Sequence, residues 1–198
     1  MEKVQRKGGT LLAPVPVVLV SCGTPEKPAA LTVAWTGIIN SDPPKVYISV
    51  RPSRNSYGII KESGEFVINM MPSGFVRQVD YCGTKSGRDE DKLAKQRLTP
   101  QKCNVISAPQ IEQCPISLEC RVTDILPQGS HDMFIAEVVS ANVADCLIDE
   151  KGRLMIEKAG LMTYAHGTYF ALGKKIGSLG FSAKPKRAKN PHYKKKKK

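Results

Sequence analysis

No apolar run in the 198 residues comes near the roughly 18 that a membrane-spanning helix needs. The longest candidate, Val15 to Val20, is short, is broken by prolines and has no cleavage site, so it does not read as a signal peptide. Histidine is scarce, at three residues, which argues against a histidine-rich metal site. The six cysteines form no C-x-x-C pair and have no zinc-module spacing. They read as free thiols in a reducing compartment, and the expectation is a soluble cytoplasmic protein. Aromatics make up only 6 %, with a single tryptophan, and show no stacking platform of the RNA-recognition type. No G-x-G-x-x-G follows a strand, so a Rossmann dinucleotide site has no support. Gly167…Gly173-Lys174-Lys175 misses the P-loop spacing and puts lysine where a magnesium-holding hydroxyl belongs. No G-x-S-x-G elbow, H-E-x-x-H pair or internal repeat appears.

Acid is also in short supply, with 18 Asp and Glu against 30 Lys and Arg, a formal net charge of +12. That excess invites a polyanion reading, but its location weakens it. Residues 184–198 carry nine of the positive charges and no acid, which leaves +3 for residues 1–183. The body is near neutral. The tail reads as a disordered basic terminus with, at most, weak salt-dependent contacts to nucleic acid. The hydrophobic fraction of 41 % supports a real core, and one domain over 1–183 is expected.

What the chain does have is many short β-type runs between turn signals. Strands are expected at Val15 to Cys22, Leu31 to Asn40, Val46 to Val50, Phe66 to Met70 and Thr168 to Leu172. Ser41-Asp42-Pro43-Pro44 marks a turn. Ile116 to Leu126 and Met133 to Asn142 flank Pro127-Gln128-Gly129-Ser130 and read as a hairpin. Short helices are expected at Ser53 to Lys61, capped by Ser53, at Phe75 to Tyr81 and at Asp89 to Gln96. Strands outnumber helices and do not alternate with them, which points to a mainly β, antiparallel, partly closed barrel with a few short helices.

Five segments carry candidate chemistry. Thr32-Val33-Ala34-Trp35-Thr36-Gly37 ends small and polar, so a planar ligand can approach its backbone; a core tryptophan is the alternative. Arg51-Pro52-Ser53-Arg54-Asn55-Ser56-Tyr57 sets two guanidiniums and two hydroxyls at a helix start, either as a phosphate cradle or as ordinary capping. Cys82 to Lys92 is a polar loop with Ser86 and Gly87, where Lys92 reaches a ligand or lies on the surface. Ser130-His131-Asp132 offers a histidine at a strand mouth, or a histidine paired with Asp132. Leu161 to Tyr169 is a stacking lid or a packed terminus.

The order of these strings is more specific than any one of them. Leu31 to Gly37, Asp42-Pro43-Pro44, Ile48 to Tyr57, Gly64 to Asn69, Tyr81-Cys82-Gly83, Ser86-Gly87-Arg88-Asp89, Asp91-Lys92, His131 to Val139 and the closing Tyr169 with Gly173 to Gly177 together resemble the flavoredoxin branch of the flavin reductase-like family. The resemblance covers roughly residues 10–182. It implies an FMN-binding split barrel with Greek-key-like topology, normally a homodimer with FMN near the subunit interface. By the same resemblance Thr32, Ala34, Trp35 and Thr36 would lie along the isoalloxazine. Arg51, Ser53, Arg54 and Ser56 would surround the phosphate, with Ser86 and Gly87 on the adjoining loop. Lys92 would bring charge to the flavin, His131 would lie beside the ring, and Tyr164 matches an aromatic position near the cofactor. One departure is that Ala29 and Ala30 stand where the family often has Asn.

The implied function is an oxidoreductase that passes electrons from NAD(P)H or a protein donor through FMN to an acceptor. The alternative is a non-catalytic FMN-binding or electron-carrier module. No side chain is assigned as an obligatory acid or base, and no metal is expected.

Overall fold

The computed structural model describes residues 1–183; the basic tail expected at 184–198 lies outside the described residues. Seven strands form one antiparallel sheet: β2 (Val18–Gly23), β3 (Pro28–Val33), β4 (Thr36–Ser41), β5 (Pro44–Val50), β6 (Glu65–Met70), β9 (Ile116–Pro127) and β10 (Asp132–Val143). Their spatial order is β3-β2-β6-β9-β10-β5-β4. A three-stranded sheet joins β1 (Val15–Pro16), β11 (Met162–Ala165) and β12 (Thr168–Ala171), and β7 (Pro100–Gln101) pairs with β8 (Gln110–Ile111). Helices α1 (Asn55–Ser63), α2 (Val76–Thr84) and α3 (Lys92–Lys95) lie between strands.

The connectivity forces the large sheet to curl. Its two edge strands, β3 and β4, are consecutive in the chain and joined only by Ala34 and Trp35. Two residues span no more than ~10 Å, so the edges must meet at that end. The Trp35 carbonyl accepts a hydrogen bond of 2.9 Å from the Ser49 amide on β5, which carries the β4–β5 pairing into this corner. Away from it the sheet stays open, and the result is a split barrel.

Barrel closure also explains why β2 is apolar without alternation. Val18, Val20 and Cys22 face the barrel interior with Leu31, Ile48, Phe66 and Phe134. Val17 and Leu19 face the other way, against Val79 and Cys82 of α2 and Leu93 of α3. A strand buried on both faces takes apolar residues at nearly every position, and the polar side chain of β2, Ser21, is paired, donating to the Pro109 carbonyl. Polar groups inside are paired. The Asn69 amide donates to the Leu19 carbonyl at 3.0 Å and to the Ser21 hydroxyl at 2.8 Å. Its Oδ1 accepts from the Ile111 amide and the Ser117 hydroxyl, each at 2.9 Å. The fully buried Glu119 accepts the amides of Asn104, Val105 and Ile106 and the side chain of Asn142, and so ties the 104–106 loop to the sheet.

Several local expectations need correction. The run Leu31 to Asn40 is two strands, because the chain turns from one sheet edge to the other at Ala34-Trp35. The first helix starts two residues later than expected, and Arg54, not Ser53, is its N-cap residue, with no side-chain cap. The run Asp89 to Gln96 yields only the single turn Lys92–Lys95, which Asp91 caps by accepting from the Ala94 amide. Strand β11 was not foreseen; with β12 it forms a hairpin whose turn uses positive φ at His166 and Gly167.

Candidate functional site

Two adjoining cavities, each of about 370 Å³, open where β3, the β5–α1 loop and the α2–α3 loop converge. They share Leu31, Arg51 and Arg54.

The first cavity is walled by the β3–β4 corner. Trp35 is 41 % exposed there, so it is not a core tryptophan. Its ring lies 4.4 Å from that of His131, tilted by 49°. His131 is positioned by the β9–β10 hairpin, where its carbonyl accepts from the Gln128 amide at 2.9 Å. It is not paired with Asp132, whose carboxylate instead accepts the Tyr57 hydroxyl at 2.6 Å; the Ser130 hydroxyl sits 2.9 Å from His131 Nδ1. Burial, then the charges of Arg51 and Arg54, hold the His131 pKa below its ordinary value. Opposite stand Tyr164 and Tyr169, with ring centroids 5.3 Å apart at 63°.

The second cavity is strongly cationic. Arg51, Arg54, Lys85 and Lys92 line it, and among the described residues no carboxylate does. Ser53, Ser56, Ser86 and Gly87 add hydroxyls and backbone. Because Arg54 gives α1 no side-chain cap, the first-turn amides at Asn55 and Ser56 are left uncapped beside the cavity. Orphan amides at a helix start, the helix dipole and fixed cations together make a site for an anion. The two loops are braced: Arg88 donates to the Ser53 carbonyl at 2.8 Å. A Cβ on Gly87 would stand 3.0 Å from the side-chain Nδ2 of Asn55, so any larger residue there has to push that side chain aside.

Lys92 is not a surface lysine. It is 6 % exposed, and its ammonium donates to the Cys82 carbonyl at 2.8 Å and the Lys85 carbonyl at 3.2 Å. Burial lowers its pKa; the neighbouring Cys82 acts in the opposite sense and Arg54 in the same sense. Two of its three N–H bonds are committed, and one remains for a ligand.

Of the thirteen candidate residues, Thr32, Ala34, Trp35, His131 and Tyr164 line the first cavity, and Ser53, Ser56, Ser86, Gly87 and Lys92 the second, with Arg51 and Arg54 common to both. Thr36 lines neither: it is buried and its hydroxyl donates to the Tyr47 carbonyl at 2.7 Å. The Thr32 hydroxyl is likewise committed, to the Val79 carbonyl, although the residue lines the first cavity. Lys92 and His131, both expected at the flavin, line different cavities, because the 82–92 loop lies against the start of α1 and not against Trp35. Ala29 and Ala30 point into the two apolar clusters. Asp80, Thr84 and Tyr169 also line the first cavity. Asp80 lies on the short helix expected at Phe75 to Tyr81, and only the packing of α2 against β3 brings it to the cavity. No metal-ligand cluster is found among the described residues, and none of the described helices is long and apolar enough to cross a membrane.

Residues 11–173 match the family described as flavin reductase like domain. An uncharacterized protein of Archaeoglobus fulgidus is 31 % identical over 140 residues, 71 % of this chain and 78 % of that protein. The solved structure of flavoredoxin of Desulfovibrio vulgaris (Miyazaki F) superposes with a TM-score of 0.85 at 29 % identity, covering 92 % of this chain and all of the other. The FMN reductase (NADH) RutF of Pseudomonas syringae is 24 % identical over 123 residues, 62 % of this chain and 67 % of that protein.

Proposed function

This chain belongs to the flavin reductase-like family, and from that membership we propose that it binds FMN in the joined cavities and acts as an oxidoreductase of the flavoredoxin and flavin reductase type. One observation carries the reading. An all-cationic cavity at an uncapped helix start opens, through shared arginines, into a cavity walled by an aromatic seam. That is the chemistry of a ligand with one phosphate end and one planar end. The residues present fit FMN. Arg51, Arg54 and Lys92 would hold the phosphate with Ser53, Ser56 and Ser86. Thr32, Ala34 and Trp35 would lie along the ring, with His131 and Tyr164 at its sides.

Bound FMN supplies hydride and electron transfer, which no side chain offers. The protein's contribution is binding and orientation. Fixed cations neutralise the phosphate, the Trp35 corner sets the ring plane, and the Tyr164–Tyr169 pair shields one side from water. His131, with its pKa held down, offers a neutral imidazole at the ring. The electron donor in this reading is a nicotinamide nucleotide that enters through the open face beside Trp35. The likeness to an FMN reductase (NADH) supports it. The closer structural likeness to a flavoredoxin favours a second reading, a bound-FMN electron carrier fed by a protein donor.

Anaerobic addition of NADH or NADPH to the FMN-loaded chain separates the two. Bleaching of the flavin band supports the reductase; no bleaching with either nucleotide removes it in favour of the carrier. The partner is proposed to be a second copy, since Ile38 and Ile39 expose an apolar edge of β4. Sedimentation at micromolar concentration should give a dimer mass. The six unpaired cysteines fit a reducing compartment such as the cytoplasm.

A further inference from the structure

Strand β12 ends at Ala171, and the next residue is still held, since the Leu172 amide donates to the Leu161 carbonyl at 3.1 Å. Beyond it, residues 173–183 form no helix or strand. Apolar side chains nevertheless recur along this segment. Ile176 and Leu179 are fully exposed, at 99 % and 104 %, and Leu172 and Phe181 are more than half exposed. Two lysines, Lys174 and Lys175, stand among them, and no acid does. Residues 184–198, outside the described residues, add by sequence nine further Lys and Arg and again no acid. The run 172–198 therefore carries eleven positive charges, which leaves +1 for residues 1–171. Aliphatic side chains and concentrated positive charge share one segment, and none of residues 172–183 lines either cavity of the candidate site.

We propose that residues 172–198 dock this protein on the surface of an anionic lipid bilayer. Lysines there gain from the negative surface potential, and apolar side chains gain by leaving water for the headgroup–acyl boundary. Either contribution alone gives weak, reversible attachment; stable peripheral binding takes both. The segment has no apolar run long enough to span, so the contact is at the surface. The aliphatic residues decide among partners. A nucleic acid would reward the charge but not Leu172, Ile176 and Leu179, which offer it neither a hydrogen bond nor a stacking face. A second copy would reward the apolar side chains but not the charge, because its residues 1–171 are near neutral. Only an anionic lipid surface rewards both. The proposal is independent of the flavin reading.

The test is co-sedimentation of the full-length chain with vesicles, either pure phosphatidylcholine or phosphatidylcholine and phosphatidylglycerol in roughly equal parts. The chain should pellet with the anionic vesicles, stay in solution with the neutral ones, and bind less as salt rises. The triple change Ile176→Ser, Leu179→Ser and Phe181→Ser keeps every charge and alters only exposed side chains. It should weaken binding to the anionic vesicles about tenfold or more. Its affinity for poly(U), a polyanion without an acyl phase, should stay within about twofold of the wild type. Removing 184–198 should weaken vesicle binding about a hundredfold or more. Should the triple variant fail to fold, Ile176→Ser alone, at a fully exposed position, should still weaken vesicle binding about threefold. Equal binding to both vesicle types, or to neither, overturns the proposal. So does a serine variant that holds anionic vesicles as tightly as the wild type: the segment is then a bare polycation that takes any polyanion, nucleic acid included.

Discussion

Replacing Lys92 by methionine keeps most of the buried stem and removes only the ammonium. That ammonium has two carbonyl partners, at 2.8 and 3.2 Å, and one free donor towards the cationic cavity. A charge-assisted hydrogen bond to a phosphate contributes about 1.5–3 kcal/mol, so FMN should bind roughly 10- to 150-fold more weakly. Riboflavin has the same ring without the phosphate, and its affinity should change less than about threefold. The difference between the two ligands across wild type and variant is a thermodynamic cycle that isolates the phosphate contact from any general loosening. Both dissociation constants follow from quenching of flavin fluorescence. Stability should move little, because losing two carbonyl bonds and relieving a buried charge act in opposite directions. If FMN and riboflavin weaken equally, Lys92 does not meet the phosphate, and the assignment of the cationic cavity is wrong.

Four other outcomes follow. Phosphate binding neutralises Arg51 and Arg54, the charges that add to burial in depressing His131; its pKa should therefore be higher in the FMN complex than in the riboflavin complex, where the ring buries it equally, read from the imidazole proton shifts by NMR. Burial alone would raise the Glu119 pKa, but its four hydrogen bonds outweigh that and hold it below the ordinary range. Glu119 therefore stabilises the fold above the unfolded-state pKa, and this contribution is lost as pH falls through the lower folded value. Glu119→Gln should cost about 2–4 kcal/mol at pH 7 and flatten the acid side of the stability profile; an unaltered acid limb in denaturant melts would contradict the clamp. Gly87→Ala must displace Asn55 and should weaken FMN several-fold with a small change in melting temperature, whereas full affinity would mean that the loop tolerates the shift. Removal of 184–198, the nine-charge tail, should leave the FMN dissociation constant unchanged at moderate salt; loss of the cofactor would assign the tail a role in the site.

Most of the strands were legible because turn residues bracket them: the Ser41–Pro44 turn and the Pro127–Ser130 loop both fall between paired strands. The break at Ala34-Trp35 was not, since nothing in Leu31 to Asn40 marks a turn; the chain crosses there because two sheet edges meet in space. The candidate site was read mostly from short contiguous strings, and twelve of its thirteen residues reach the two cavities. Thr36 shows the limit of that method: it is adjacent in sequence to Trp35, but strand alternation turns it towards β5, where its hydroxyl is used. Asp80 shows the opposite limit, a residue distant in sequence from Trp35 that only the docking of α2 on β3 brings to the same cavity. Asn69 and Glu119 were missed for a related reason. Their partners lie on neighbouring strands and a loop, so their roles exist only in the folded register.

The central claim is that the joined cavities hold one FMN per chain, with its phosphate among Arg51, Arg54 and Lys92. Titrating FMN into the flavin-stripped protein while recording absorbance and fluorescence tests it most directly. The account predicts a saturable one-to-one complex with a shifted flavin band, held more tightly than riboflavin and weakened by competing inorganic phosphate. A protein that is colourless as purified, takes up no added FMN, or binds riboflavin and FMN equally well would contradict it.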